Sequence, residues 1–523
     1  PLHVELFREG TPTLGRSLLR ELARTIELSL RIGVSRVDHD LAAFRERFRE
    51  RWESAEVPLM VALDDDLGVG FHADPAPPRA PATRRHDRLI RGALRAEAAG
   101  AHVWSLDEED LVELEADHVT SPADSVCLWA MIASRSAAAL AKGDFKLWQF
   151  PAWYGGATML GRFCHEHGPL RDAVARHLAA EASLRPDTIF PEVVYAPPNR
   201  AQNVVARPTL RGFELPIFTR GSAPPRMTLD LADLFVSVRG NRVRLRSERW
   251  GKWVAPRMTH AHSVGKQGIP LLRFLAALQA DDLPMLPEWS WDPIYRAPHL
   301  PRVEHGRLVL ALERWNLSAG EIAGLAREDR RSSCSALQAL REERRLPRFV
   351  TLVEGTDQSL IVDFDNVLSC ESFLDRVRGT SHVVLCELFP GVDELPSHGP
   401  DGSYVAELVV PYGSKCSRSP IEPVPPPIHG QRSFAVGSEW LYAKIYVSRG
   451  RSDALLTDVL GPCLQRARDA GEIDDWFFIR YADPLPHLRV RCHGSPDALL
   501  GRVLPALRRA LEPALVAGEV ERF

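Results

Sequence analysis

Residues 476–491 read WFFIRYADPLPHLRVR, an apolar run, a turn with two prolines and a second run that ends in alternating cations. Side chains of a β-strand alternate between its two faces, so His487, Arg489 and Arg491 should share one face and the residues between them the other. Two guanidinium groups two positions apart form a fork that suits a carboxylate or a phosphate. The same pattern also fits an exposed strand whose arginines are simply solvated.

The amino-acid sequence of this run resembles a family signature. FFIRY-x-DP-x-x-HLR-x-R is similar to the signature of the C-terminal elimination module of lantibiotic dehydratases, a module also met in thiopeptide biosynthesis. Upstream, WLYAKIY at 440–446 resembles the opening strand of that module, which the family follows with a helix such as 452–470. The resemblance implies a small α+β elimination-type domain at the end of the chain.

Further matches to the family's glutamylation domain follow one another along the rest of the chain. The segments similar to its landmarks are the helix with Phe44, Phe48 and Arg51, Val57-Pro58-Leu59, Gly68-Val69-Gly70-Phe71, Gly161-Arg162-Phe163, Asn203-Val204 with Arg207-Pro208, and 346–350 with 360–365. The predicted fold class is α+β. The predicted domains are the C-terminal part of a large mixed helix/sheet glutamylation domain at 1–416, a linker at 417–433 and the N-terminal part of the elimination domain at 434–523. Five prolines in 417–430 indicate the linker.

The resemblance implies a two-step reaction. Lantibiotic dehydratases use glutamyl-tRNA to place a glutamyl ester on Ser or Thr of a ribosomal precursor peptide, then eliminate glutamate to leave dehydroalanine or dehydrobutyrine. Because a hydroxyl is a poor leaving group, acylation turns it into a carboxylate that departs as a stabilised anion. We therefore expect glutamyl-tRNA as a co-substrate and no bound cofactor. The expected partners are the precursor peptide, glutamyl-tRNA, a cyclase and a second copy of the chain.

Five residues are candidates for catalysis on the strength of the resemblance. Arg489 and Arg491 would hold the glutamyl carboxylate in the elimination pocket. His487 would be an orienting donor or a local base, and the alternative is a strand-start histidine satisfied by the backbone. On the glutamylation side the candidates are Arg162 of the GRF motif and Glu5, which stands where the family has an Asp. The alternative for Glu5 is an exposed acid on an edge strand.

Charge and cysteine usage restrict the class of protein. With 65 basic and 69 acidic residues the net charge is −4, which excludes binding of nucleic acid through bulk charge. The candidate local RNA contacts are Arg239–Arg249 and Arg341–Arg348, and solvated faces are the alternative. Eight cysteines without metal-ligand spacing predict reduced thiols, a cytoplasmic location and no structural zinc. The sequence predicts no membrane insertion, since no run approaches the ~18 apolar residues that a bilayer requires.

Several local structures can be predicted from periodicity. Apolar spacing predicts helices at 14–32 and 40–52, and Val57–Leu63 is predicted as a short strand. Arg480 and Asp483 are expected to form a structural pair or a turn that sets the strand register. The sequence Gly155–Phe163 is rich in glycine but lacks the Lys-Ser/Thr of a phosphate-binding loop.

The family pattern also extends past both ends of this chain. Family elimination modules continue with an RYGG-type segment and a late histidine, and the first part of the glutamylation domain would precede Pro1. The expectation is therefore a chain cut from a longer polypeptide, with neither half-site complete. Two other functions stay open: a ligase that adds an amino acid from aminoacyl-tRNA without elimination, and a non-catalytic scaffold that binds a precursor peptide through exposed strand edges.

Overall fold

The chain divides into two units, Pro1–Glu422 and Pro423–Phe523. The computed structural model describes residues 5, 13–34, 38–73, 84–115, 123–149, 155–197, 201–264, 268–284, 286–325, 329–355, 358–415, 434–482 and 485–523. The predicted linker 417–433 and Asp483 lie outside these residues.

Helices and mixed sheets alternate along the first unit. Its helices are α1 Arg16–Ile32, α2 His39–Trp52, α3 Leu59–Ala62, α4 Arg84–Ala99, α5 Glu108–Glu113, α6 Ala137–Lys142, α7 Gly168–Ser183, α8 Gln202–Val205, α9 Pro270–Asp282, α10 Ala319–Leu325, α11 Arg330–Glu343 and α12 Val367–Val377. Its strands are β1 Val57–Pro58, β2 Val103–Ser105, β3 Ser125–Ala133, β4 Lys146–Gln149, β5 Thr188–Ile189, β6 Pro191–Val194, β7 Phe213–Pro216, β8 Leu234–Arg239, β9 Arg242–Ser247, β10 Lys252–Val254, β11 His299–Leu300, β12 Arg302–His305, β13 Leu308–Ala311, β14 Arg314–Ser318, β15 Phe349–Glu354, β16 Gln358–Asp363, β17 His382–Glu387, β18 Ser397–Gly399, β19 Gly402–Tyr404 and β20 Glu407–Gly413.

Three larger sheets organise this unit. Their strand orders are β1-β8-β9-β10-β5, β11-β14-β17-β15-β16 and β2-β12-β13-β4-β3-β20, and the pairs β6-β7 and β18-β19 are separate. Most neighbouring strands are antiparallel, and β12 pairs in parallel with β2. The chain passes from the second of these sheets to the third between β11 and β12, so those two sheets meet at that point. The mixture of helices with largely antiparallel sheets confirms the predicted α+β class.

The predicted amphipathic helices are confirmed. In α2 the side chain of Asp38 accepts a hydrogen bond from the Leu41 N–H and caps the first turn. Phe44 and Phe48 lie one turn apart on the same side of the helix and are fully buried. The ring of Phe44 contacts the ring of Phe71, and the ring of Phe48 contacts the ring of Trp52. Helix α2 therefore packs on the largest core of the first unit.

The strand predicted over Val57–Leu63 is wrong beyond its second residue. Only Val57 and Pro58 pair with β8, and the next four residues form the single turn α3. Leu59 and Ala62 are fully buried, and a spacing of three residues places both on one side of a helical turn. A strand would direct them to opposite faces, so burial of both favours the helix.

The second unit is a βαββαβ fold. Its strands are β21 Trp440–Val447, β22 Asp475–Ala482, β23 Pro486–His493 and β24 Val520–Arg522, and its helical stretches are α13 Ser452–Ala454 with a π-helical Leu455–Leu460 and α14 Gly461–Asp469, then α15 Pro496–Ala498 with a π-helical Leu499–Val503 and α16 Leu504–Val516. The sheet order is β22-β23-β21-β24 with antiparallel neighbours, which is the ferredoxin-like arrangement. The two helical stretches pack on one face of this sheet.

No helix in the described part of the chain has both the length and the apolar character that crossing a bilayer requires.

Candidate functional site

The predicted cationic strand is β23, a central strand of the second sheet. It pairs with β22 on one side and with β21 on the other. Leu488, Val490 and Cys492 are buried against the helices. Arg489 and Arg491 therefore project from the other face of the sheet, as the alternation predicts.

Aromatic rings from the two neighbouring strands flank both arginines. The guanidinium carbon of Arg489 lies 3.7 Å from the centroid of the Tyr481 ring. That of Arg491 lies 5.0 Å from the ring of Tyr442 and 5.6 Å from the ring of Phe477. Such contacts contribute about 0.5–1 kcal/mol each at exposed sites and hold the guanidinium plane without neutralising its charge.

Neither arginine forms an ion pair with a carboxylate of the described residues. Both side chains are half-buried, so water screens their charge less than it screens that of a fully exposed arginine. Two adjacent guanidinium groups that lack a counter-ion create a positive site that an anion can occupy.

His487 is 2% exposed and shares hydrogen bonds through both ring nitrogens. Its Nδ1 lies 2.8 Å from the Leu485 carbonyl oxygen, so Nδ1 carries the proton and donates it. Its Nε2 then accepts from the Nε–H of Arg489 at 3.1 Å. The ring also lies between the rings of Tyr446 and Tyr481. This geometry fits an orienting role better than a role as a base, because no nitrogen is free to take a proton.

Arg480 faces away from this site. It forms an ion pair with Asp453 and donates to the Ser452 hydroxyl at 3.3 Å. Asp483, its expected partner, lies outside the described residues. Arg480 therefore connects β22 to the start of the first helical stretch.

In the first unit, the structure brings together the two residues predicted on the glutamylation side. The Nε of Arg162 lies 3.6 Å from Oε1 of Glu5. The Glu5 side chain is 3% exposed and that of Arg162 is 31% exposed. Burial contradicts the alternative of an exposed acid for Glu5. The pair presents a partly exposed guanidinium that is backed by a buried carboxylate.

A 3-10 turn over Gly161–Cys164 positions Arg162. A Cβ atom on Gly161 would lie 2.1 Å from the Thr259 carbonyl oxygen, so only glycine fits at this close approach. Thr259 in turn donates its N–H and its hydroxyl to Glu192 at 2.6 and 2.7 Å. The turn is thus fixed against a rigid buried segment.

Beneath that segment lies a buried chain of ion pairs. Its links are Arg185–Asp282, Asp282–Arg257, Arg257–Glu181, Glu181–Arg211, Arg211–Glu192 and Glu192–Arg207. Burial alone would raise the pKa of Glu181, but Arg211 and Arg257 outweigh it and lower the pKa to about 2. Glu181 therefore stays ionised and holds the two arginines beside it.

The two candidate RNA-binding segments differ in how many of their arginines are paired with carboxylates. In the first, Arg246 is buried and bound by Glu56 through both of its carboxylate oxygens. In the second, Arg341 pairs with Asp365 and Arg348 with Asp363. In the first segment, by contrast, Arg239, Arg242 and Arg244 form no ion pair with a carboxylate of the described residues, so RNA contact by that segment stays a prediction.

The structure adds neighbours that the sequence reasoning did not name. Lys444 lies opposite Arg489 in β21, and Arg522 of β24 lies 4.0 Å from the ring centroid of Tyr446. The alternation of WLYAKIY places Tyr442, Lys444 and Tyr446 on one face, so this signal was present in the sequence. Only the strand order brings that face beside the two arginines.

Comparisons with known proteins agree along the chain. Residues 1–373 match the family model "Lantibiotic dehydratase, N terminus", and residues 440–523 match "Lantibiotic biosynthesis dehydratase C-term". The subtilin biosynthesis protein SpaB of Bacillus subtilis is 22% identical over 379 residues, which are 69% of this chain and 36% of SpaB. The nisin biosynthesis protein NisB of Lactococcus lactis subsp. lactis is 26% identical over 274 residues, which are 48% of this chain and 26% of NisB.

Solved structures show the same architecture. The tRNA-dependent lantibiotic dehydratase MibB from Microbispora sp. 107891 superposes with a TM-score of 0.75 at 26% identity, over 96% of this chain and 49% of MibB. The glutamylation domain of TbtB from thiomuracin biosynthesis, at 22% identity and a TM-score of 0.50 over 75% of this chain and 49% of that one, shares the fold. The chain thus spans about half the length of MibB and a smaller share of SpaB and NisB. With a family model matching most of its length, the chain belongs to the lantibiotic dehydratase family.

Proposed function

We propose that the chain is part of a glutamyl-tRNA-dependent peptide dehydratase that glutamylates Ser or Thr of a ribosomal precursor peptide and then eliminates glutamate. The observation that carries this proposal is the pair Arg489 and Arg491, which lie on one face of the sheet against aromatic rings. Neither forms an ion pair with a carboxylate in the described part of the chain. Family membership supports the same reaction.

The first step is an acyl transfer. The Ser or Thr hydroxyl oxygen attacks the ester carbonyl carbon of glutamyl-tRNA, a new ester bond forms, and the ribose oxygen of the tRNA leaves with the proton. Negative charge develops on the carbonyl oxygen during the attack. Arg162 is the candidate to stabilise that charge, because its guanidinium is partly exposed and Glu5 holds it from behind.

The second step is an elimination. A base removes the Cα proton of the glutamylated residue, the Cα–Cβ double bond forms, and the bond from Cβ to the ester oxygen breaks. Glutamate leaves as a carboxylate, and the peptide retains a dehydroamino acid. Arg489 and Arg491 would bind the departing anion with charge-assisted hydrogen bonds, which strengthen as the negative charge grows.

His487 would act as a positioning residue in this step. By accepting from the Arg489 Nε–H it leaves the terminal nitrogens of that guanidinium to bind the anion. The proposal requires the precursor peptide and glutamyl-tRNA as partners. A cyclase, a second copy of the chain and a cytoplasmic location stay predictions.

The overall reaction can be tested by mass spectrometry. The chain is incubated with a Ser-rich precursor peptide and glutamyl-tRNA. Loss of water per modified residue supports both steps, and gain of one glutamyl unit without loss of water supports the ligase alternative. Stable binding of an unmodified peptide with every aminoacyl-tRNA supplied would identify the scaffold alternative and contradict the proposal.

The elimination site can be tested separately with a pre-glutamylated peptide. We predict that Arg489→Ala lowers the rate of glutamate release by about 100-fold or more, the effect of removing one preorganised donor to a developing anion. The matched control is Arg502→Ala in the same unit, where the arginine pairs with Glu472 at 3.0 Å and should leave the rate unchanged.

Replacement of His487 by phenylalanine keeps the packing between the tyrosine rings and removes the acceptor for Arg489. A positioning role predicts a smaller loss of rate than Arg489→Ala causes, and no further loss in the double variant. Glutamate release by Arg489→Ala at the parental rate would refute the assignment of the site.

A further inference from the structure

A second cluster of functional side chains lies in the first unit, away from the residues discussed above. His102, His299 and Glu313 come from three different segments, and their possible ligand atoms all lie within 4.8 Å of one another. His102 directly precedes β2, His299 is in β11, and Glu313 directly precedes β14. The cluster therefore stands where the sheet that contains β2 meets the sheet that contains β11 and β14.

Both histidines converge on one carboxylate oxygen. Oε1 of Glu313 lies 2.5 Å from Nδ1 of His102 and 2.8 Å from Nε2 of His299. The Glu313 side chain is 8% exposed, whereas that of His102 is 49% exposed. The carboxylate is therefore buried, and His102 is the member of the cluster that is most exposed to solvent.

We propose that His102, His299 and Glu313 bind a zinc ion. Two imidazole nitrogens and one carboxylate oxygen form a ligand set that zinc commonly takes in proteins, with a fourth position left for water. Donor atoms around a tetrahedral zinc ion stand roughly 3.4 Å apart, so small rotations of the imidazoles convert the hydrogen-bonded cluster into a ligand set. Cysteine spacing gave no sign of this site because it uses no thiolate.

The surroundings of the cluster support a metal site. Nδ1 of His299 lies 3.2 Å from Oε2 of Glu97. A carboxylate that accepts from the non-ligating nitrogen of a histidine fixes the ring orientation and its tautomer, as it does behind many zinc ligands. The imidazole of His299 also packs on the indole of Trp315, with ring centroids 5.8 Å apart.

A cleft gives an ion access to the cluster. Its volume is about 150 Å³, and its walls carry the carboxylates of Glu97 and Glu343 beside the two histidines, together with Arg344 and Arg345. Arg344 is neutralised by Glu321. An ion bound here would link β2 to β11 and to the start of β14. It would therefore cross-link the sheet that contains β2 to the sheet that contains β11 and β14. This inference does not depend on the proposed dehydratase function.

The test is zinc binding by the full chain after dialysis against a chelator. We expect isothermal titration with zinc chloride to give one site per chain. Cobalt(II) at the same site should give visible absorption bands of a four-coordinate ion. His102→Ala, at the most exposed ligand, should weaken zinc binding by about 100-fold or more while the far-ultraviolet circular dichroism stays that of the parent. Glu97→Gln should weaken it by about 10-fold, as loss of a residue that orients a ligand does.

The matched control is His493→Ala in the second unit. His493 is also a partly exposed histidine that lies 2.8 Å from a carboxylate oxygen, that of Asp474. Among the described residues it belongs to no group of three possible metal ligands. We expect this variant to bind zinc like the parent. Zinc affinity unchanged in His102→Ala, or a parent chain that takes up no zinc, would show that the cluster is a set of hydrogen bonds only.

Discussion

A single buried histidine gives the first unit a predictable response to acid. His260 is 3% exposed, and its Nδ1 accepts from the His262 N–H at 3.2 Å. Its Nε2 has no hydrogen-bond partner among the described residues. Burial, and then the nearby charge of Arg207, lower the pKa of His260 from 6.5 to about 3. The ring is therefore neutral in the folded protein over the physiological range.

The lowered pKa of His260 predicts how stability changes with pH. Between pH 3 and 6.5 the unfolded chain binds a proton here that the folded chain does not, so the free energy of unfolding falls as the pH falls below 6.5. At pH 5.5 the loss from this one group is about 1.4 kcal/mol. When the pH is lowered from 7.5 to 5.5, the free energy of unfolding measured with urea should fall by about 1.4 kcal/mol less in His260→Asn than in the parent.

Between pH 7 and 8 the two proteins should respond to pH alike, which provides the internal control. Equal losses in the parent and in His260→Asn between pH 7.5 and 5.5 would mean that His260 takes up a proton in the folded state.

Residue identity alone does not tell which arginine is available to a ligand. Arg246 and Arg489 both lie in strands of alternating cations, RVRLRS and HLRVR. Arg246 is bound by Glu56, which is 190 residues away in the chain, whereas Arg489 contacts a ring and a histidine of its own sheet. The face of each arginine could be predicted from alternation. Its counter-ion could not, because distant parts of the chain supply it.

Among the elements, α4 shows how helix propensity and packing can oppose each other. Gly92 lies inside this helix, where alanine would be favoured by about 1 kcal/mol. A Cβ atom at Gly92 would lie 2.2 Å from the indole of Trp104 in β2. That indole is held by Asp110 and packs against Trp289 and Trp291, so it has little freedom to move.

We therefore predict opposite effects for two glycine-to-alanine changes in helices. Gly92→Ala should lower the free energy of unfolding by about 1–3 kcal/mol, the usual cost of overpacking. Gly324→Ala in α10 should raise it by up to about 1 kcal/mol, because no described atom outside its own helical backbone and chain neighbours lies within 4 Å of the added carbon. Urea unfolding of both variants measures these changes. Stabilisation by Gly92→Ala would show that the indole moves aside without cost.

Elements with a clear period could be predicted, and short ones could not. The helices α1 and α2 follow from apolar spacing over more than three turns. At 57–63 the run VPLMVAL is apolar throughout, so it fits a buried strand and a buried helical turn equally well. The choice depends on where the core lies, and only the folded chain determines that. The same holds for the histidines of the proposed zinc site, which lie nearly 200 residues apart.

At the scale of the whole molecule, the second unit has the features of an independent domain. Its core is formed by residues of its own strands and helices, among them Leu464, Val490 and Leu507. The last strand, β24, pairs with β21 at one edge of the sheet, so all four strands of the βαββαβ order lie within residues 434–523. The sequence reasoning located this region from its motifs and its prolines. The order of the strands could not be inferred from periodicity.

A fragment of residues 434–523 should therefore fold by itself. Domains of this size with one continuous core usually unfold in a single cooperative transition, with a urea m-value of about 1–3 kcal/mol per molar. We expect the fragment to show such a transition by circular dichroism and tryptophan fluorescence, with coincident midpoints. Leu507→Asp would place an unpaired carboxylate in a fully buried position, so this variant should lose the transition. A parent fragment that unfolds gradually, without a cooperative transition, would show that residues outside 434–523 complete its core. The rate of glutamate release by Arg489→Ala would then have to be measured in the longer chain.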